Sequence, residues 1–96
     1  MDNRIYFINL YDYYSELLTD KQQNYFEGYY FDNLSLQEIS ENIGVSRNAV
    51  SKQLKDVTNK LEYFEEKLKL YNKSLKIKKL IEKIDFYTKS KIEELI

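Results

Sequence analysis

The sequence predicts an all-α protein built on a helix-turn-helix, and three observations predict it. Proline is absent and glycine occurs only at positions 28 and 44, so little interrupts helix formation over 96 residues. Helix-start signals recur: Thr19 with Gln22, and Ser35 with Glu38, each fit the pattern in which a side chain and the backbone cap one another. Apolar residues fall at helical spacing on both sides of Gly44-Val45-Ser46, a gap too short for an antiparallel hairpin and suited to a sharp crossing.

The first element runs from Ile5 to Leu18, with Ile5, Ile8, Tyr11, Tyr14, Leu17 and Leu18 at helical spacing and Phe7, Leu10 and Tyr13 widening the stripe. Such breadth predicts a helix covered from more than one side. A second helix starts at Asp20 behind its capping box, carries Tyr25, Phe26, Tyr29 and Tyr30, and ends in the polar turn Asp32-Asn33. Gly28 inside it costs about 1 kcal/mol relative to alanine, or marks a close approach.

The helix-turn-helix proper spans residues 35–57. Leu36, Ile39 and Ile43 share one face of its first helix, and Ser40 is small where the two helices meet. Gly44 suits a left-handed closing residue, since it has no Cβ to clash. Ser46 then caps the second helix, which turns Ala49, Val50, Leu54 and Val57 inward.

That second helix extends well past the motif. Val50, Leu54, Val57, Leu61, Phe64, Leu68, Tyr71 and Leu75 alternate spacings of four and three, an unbroken 3.5-residue repeat. From Leu61 onward these positions need cover. Either the N-terminal helix and the C-terminal segment fold back on them, or a second copy packs there. The seam favours a homodimer through Leu61, Phe64, Leu68, Tyr71 and Leu75. A register break near Asn72-Lys73 places Ser74 as the cap of a final helix reaching Ile96. The chain is thus expected to be a single helical domain, 1–96, with residues 58–96 serving packing or dimerisation.

Charge is divided unevenly. Residues 1–45 hold eight acids against Arg4 and Lys21, whereas residues 46–96 hold thirteen bases against eight acids. The sign changes at the start of the second motif helix, so a polyanion is drawn to the second half and repelled by the first. At about 100° per residue, Asn48, Ser51, Lys52 and Lys55 collect opposite the apolar stripe. On a duplex, Ser46, Arg47 and Lys55 are placed to meet phosphates, and Asn48, Ser51 and Lys52 to meet base edges in the major groove. The bland alternative is a solvated helix face. The lysines at 73, 76, 78, 79 and 83 are likewise either a solvated face or an auxiliary phosphate contact. Ten tyrosines, most of them in the acidic first third, read as packing groups rather than base-stacking platforms.

Histidine and cysteine are both absent, and no glycine-rich loop or nucleophile motif occurs. No catalytic residue, metal site or cofactor is indicated. Met1-Asp2-Asn3-Arg4 leads into no long apolar run, so neither a signal peptide nor a membrane span is expected, and the cytoplasm is the expected compartment.

Leu18-Thr19-Asp20-Lys21-Gln22, Tyr29-Tyr30, Ser35-Leu36-Gln37-Glu38-Ile39 and Gly44-Val45-Ser46-Arg47-Asn48-Ala49-Val50 together resemble the YlxM family of small bacterial helix-turn-helix proteins. Those proteins are themselves similar to region four of bacterial sigma factors. The likeness runs on through Leu61-Glu62 and Glu66-Lys67-Leu68, covering about residues 5–75. It implies a cytoplasmic, sigma-like helix-turn-helix with a regulatory role. Because genes of that family neighbour those of the signal recognition particle, it also implies a link to that pathway. Two readings remain open on sequence: a DNA-binding regulator, and an interaction module contacting signal recognition particle protein or RNA.

Overall fold

The computed structural model describes residues 3–96, which form six α-helices and one 3-10 turn with no strand among them. Helix α1 spans Arg4–Tyr14, followed by the 3-10 turn Ser15–Leu17; α2 spans Asp20–Tyr30 and α3 Leu36–Ile43. Helix α4 is the long one, Arg47–Leu68, and α5 (Leu70–Leu80) and α6 (Phe86–Glu93) complete the chain. At 1.5 Å per residue the 22 residues of α4 reach about 33 Å, long enough to touch every element that precedes it.

Two apolar clusters sit side by side along α4. Val50 and Leu54 close one with Tyr25 and Ile39, behind the helix-turn-helix. Val57 and Leu61 close the other with Leu10, Tyr11, Tyr14, Leu18 and Phe26. Tyr11 and Phe26 stack at 4.2 Å between ring centres, and Phe26 stacks on Tyr30 at 4.3 Å, so much of this core is aromatic. Tyr11 keeps its hydroxyl satisfied on the Glu27 carboxylate, and burial together with that carboxylate pushes its phenol well above the usual range.

Both predicted capping boxes form in full. Thr19 accepts from the Gln22 N–H at 3.1 Å while the Gln22 amide oxygen accepts from the Thr19 N–H at 2.9 Å. Ser35 and Glu38 exchange the same pair of bonds at 3.0 Å each. Gly28 is buried, yet a Cβ built there would meet Ile39 at 3.8 Å, an ordinary contact. The spot therefore does not demand glycine.

Several expectations are corrected. The first helix stops at Tyr14, not Leu18, and Ile5 and Leu17 lie on the surface. Ile43 also lies on the surface: from α3, Ile39 is buried in the core with Leu36 packed partly against it, and the helix closes at Gly44 directly after Ile43. The 3.5-residue repeat is interrupted at Lys69, which takes a left-handed conformation with φ +56° and ends α4 before the pattern ends. Ser74 caps nothing; it is buried in the middle of α5. The single final helix is two, and Asp85 caps the second by accepting from the Thr88 N–H at 2.8 Å, a bond that holds its carboxyl below the usual range.

The break at Lys69 is held by groups from three elements. The Glu65 carboxylate accepts from the N–H groups of Tyr71 at 3.1 Å and Asn72 at 2.9 Å, capping α5 from the end of α4. The Tyr14 hydroxyl donates to the same carboxylate at 2.6 Å and accepts from the Leu70 N–H at 3.1 Å. Burial first, and the Glu65 bond second, raise the Tyr14 phenol to about 12. An αL residue other than glycine costs roughly 1–2 kcal/mol, which these four bonds to otherwise orphaned groups offset.

The seam beyond Leu61 is thus covered from within. Leu61 is fully buried against α1 and α2, and Phe64 and Tyr71 pack half-buried on the same cluster. Of the five residues expected at a dimer seam, only Leu68 and Leu75 remain exposed. Helix α5 stays against α1 through Tyr71, whereas α6 buries no residue, and the molecule is elongated: its radius of gyration is 16.5 Å, against about 12 Å for a compact chain of this length, and its longest dimension is 53 Å.

Candidate nucleic-acid interface

The turn between α3 and α4 is made by backbone geometry. Gly44 takes φ +81° and its N–H bonds to the Ser40 carbonyl at 2.8 Å, while the Val45 N–H reaches the same carbonyl at 3.1 Å. The Ser40 hydroxyl folds back on the Gln37 carbonyl at 2.7 Å, satisfying a buried polar group without adding bulk on the α4 side. Ser46 then accepts from the Ala49 N–H at 3.1 Å and starts α4.

No acidic residue lies in the first turn of α4, so nothing local cancels the positive end of the helix, and Arg47 adds to it. Arg47, Asn48, Ser51, Lys52 and Lys55 are all exposed, as is the Ser46 cap, while Val50, Leu54 and Val57 face the core. The structure brings the six predicted residues to one continuous, solvent-facing surface over the first two and a half turns of the helix. No part of the arm beyond Leu70 lies among the residues lining the groove beside it.

That groove was not predicted. Ser51, Lys55 and Thr58 form one wall, and Tyr29, Tyr30 and Leu36 form the other. Arg4 fixes the tyrosine wall: its guanidinium donates to the Tyr29 carbonyl at 2.6 Å and to Asn33 Oδ1 at 2.8 Å, and lies 5.2 and 5.1 Å from the two ring centres. It thereby caps the C-terminal end of α2 with a cation, where the helix dipole favours one. The only trace of this in sequence is the Tyr29-Tyr30 pair, since Arg4 meets it across 25 residues of chain.

The lysines at 73, 76, 78, 79 and 83 are exposed, but they belong to α5 and the turn after it, in the projecting arm rather than on the motif. Among the described residues, no helix is long and apolar enough to cross a membrane.

Comparison with known proteins matches the whole chain, residues 1–96, to the family described as "Putative helix-turn-helix protein, YlxM / p13 like" (UPF0122). The chain is 50% identical over 82 residues to UPF0122 protein OB1530 of Oceanobacillus iheyensis, covering 85% of this chain and 78% of that protein. It is 47% identical over 83 residues to UPF0122 protein TTE1463 of Caldanaerobacter subterraneus, covering 86% and 71%. A UPF0122 protein of Lactococcus lactis subsp. cremoris is 41% identical over 92 residues, covering 90% and 83%. With the capped α3, the left-handed Gly44 and the short turn into α4 in place, this chain belongs to the UPF0122 family of YlxM-like helix-turn-helix proteins.

Proposed function

We propose that the protein is a DNA-binding regulator, a binding protein rather than an enzyme, whose α4 enters the major groove as a recognition helix in the manner of sigma region four. The observation that carries this reading is the exposed polar face from Ser46 to Lys55 at a capped helix start with no acid in its first turn. Arg47 and Lys55 hold phosphates, Ser46 presents its hydroxyl and the helix start to another, and Asn48, Ser51 and Lys52 read base edges. Two copies acting together would read half-sites about 34 Å apart, one turn of the duplex. The compartment that goes with this role is the cytoplasm.

Fluorescence anisotropy with labelled genomic duplexes tests it. Binding should appear at low salt and weaken linearly on a log–log plot as salt rises. Arg47→Ala combined with Lys52→Ala should lower affinity on the order of tenfold or more with the helical circular dichroism unchanged. Absence of binding to any duplex at low salt would end the proposal.

A second reading draws on the acidic first half, which repels nucleic acid. In it the motif is a scaffold, and the protein serves the signal recognition particle pathway by contacting particle protein or RNA. Pull-down from a native lysate separates the two: recovery of particle components without DNA supports the second.

A further inference from the structure

One face of α5 is apolar with a polar residue at its centre. Leu70, Ser74, Ile77 and Ile81 follow one another at spacings of four, three and four, so they share that face. Ser74 is 3% exposed, and among the described residues its Oγ is the buried side-chain polar atom with no hydrogen-bond partner. Two other helical hydroxyls behave differently. Ser40 donates to the Gln37 carbonyl and Thr58 to the Lys55 carbonyl, in each case three residues back. A buried polar group left unpaired is uncommon in a folded protein, because it forfeits its bonds to water and gains none in return.

The same face borders a cleft of about 290 Å³. Tyr13 of α1, Leu70 and Ile77 wall it, Leu95 and Ile96 stand at its edge, and Lys73 is the charged side chain among those lining it. We infer that this cleft binds a small amphipathic monocarboxylate. An ammonium can only donate, and the Ser74 hydroxyl has a proton with nowhere to go, so the group that answers both is an acceptor. A carboxylate offers one oxygen to each and a single negative charge to the single lysine. The apolar walls take a hydrocarbon body. At ~30 Å³ for each heavy atom the cleft holds about ten of them, the size of octanoate. None of the lining residues comes from α4, so the site lies apart from the proposed DNA face and does not depend on that reading.

Titration of the full chain with octanoate, followed by backbone amide NMR, tests this. Binding should saturate at a roughly millimolar Kd or tighter, with shifts centred on residues 70–77 and none in residues 46–55. Ser74→Ala should weaken binding about tenfold yet melt no lower than the wild type, since it breaks no internal bond. Lys73→Met should weaken binding about fivefold and remove the preference for octanoate over octanol. Octylamine, with the charge reversed, should not bind. No saturable binding of octanoate, equal binding of octylamine, or a Ser74→Ala variant that binds as the wild type does would overturn the assignment.

Discussion

Residues 35–57 and residues 70–96 draw on similar residue types and dispose of them in opposite ways. In the helix-turn-helix, Ile39, Val50, Leu54 and Val57 go to the core, and outside the turn Ile43-Gly44-Val45 the exposed residues are polar. In the arm, Leu80, Phe86, Tyr87 and Leu95 face outward, and only Ser74 and Ile81 are buried. The first region is fastened at every helix end by its own caps: Ser35 with Glu38, Gly44, and Ser46. The second is joined to the body by the Glu65 carboxylate, the Tyr14 hydroxyl and Tyr71, whose ring lies beside Tyr6 and Tyr13 and whose hydroxyl accepts from Asn9 at 3.3 Å. The contrast teaches that apolar content does not locate a core; what matters is whether another element is near enough to cover it.

The sharpest break in that contrast is a pair of truncations. Leu61→Ala, at a fully buried position, should cost about 2–5 kcal/mol in urea denaturation, whereas Leu80→Ala at dilute, monomeric concentration should stay within about 0.5 kcal/mol. A large loss at Leu80 under those conditions would place the arm inside the core.

A smaller effect is expected at the joint between the regions. Tyr14→Phe leaves the Leu70 N–H without its acceptor and removes a donor from Glu65, a loss of about 1–3 kcal/mol. The pH dependence has a definite sign. The folded Tyr14 phenol sits at about 12, above the usual ~10, so the folded state holds its proton more tightly than the unfolded state does. This contribution is complete below pH ~10 and is lost as pH climbs through about 12. Alkaline unfolding followed by circular dichroism should therefore be shallower over that window in Tyr14→Phe than in the wild type.

The two glycines give the finest test. Gly44→Ala forces a Cβ into φ +81° and should cost about 1–2 kcal/mol, although nothing lies within 4 Å of that Cβ. Gly28→Ala, with ordinary contacts at 3.8 Å, should stabilise by up to about 1 kcal/mol. Thermal melts of both variants read opposite signs if backbone conformation, rather than space, distinguishes the two positions.

The legible features were the local ones. Both capping boxes and the Gly44 turn announce themselves within four residues, because the hydrogen bonds that make them span no more than that. The exposed face from Arg47 to Lys55 was readable for the same reason: helical periodicity assigns sides without knowledge of the rest of the chain. The break at Lys69 was hidden. Lysine is no signal for a left-handed residue, and the group that accepts the Leu70 N–H comes from Tyr14, 56 residues away. Periodicity from Val50 to Leu75 therefore predicted a continuous seam where the chain turns, and it assigned Leu61 to a partner when α1 and α2 already cover it. The tyrosine-walled groove was invisible because Arg4, Tyr29 and Ser51 meet only in three dimensions.

The most direct measurement is a titration of the isotopically labelled protein with a selected duplex, following backbone amides by NMR. The account predicts that shifts concentrate on residues 46–55 and the Tyr29–Tyr30 wall, with the arm unmoved. Shifts confined to residues 70–96, or none in α4 under conditions where the duplex binds, would contradict it.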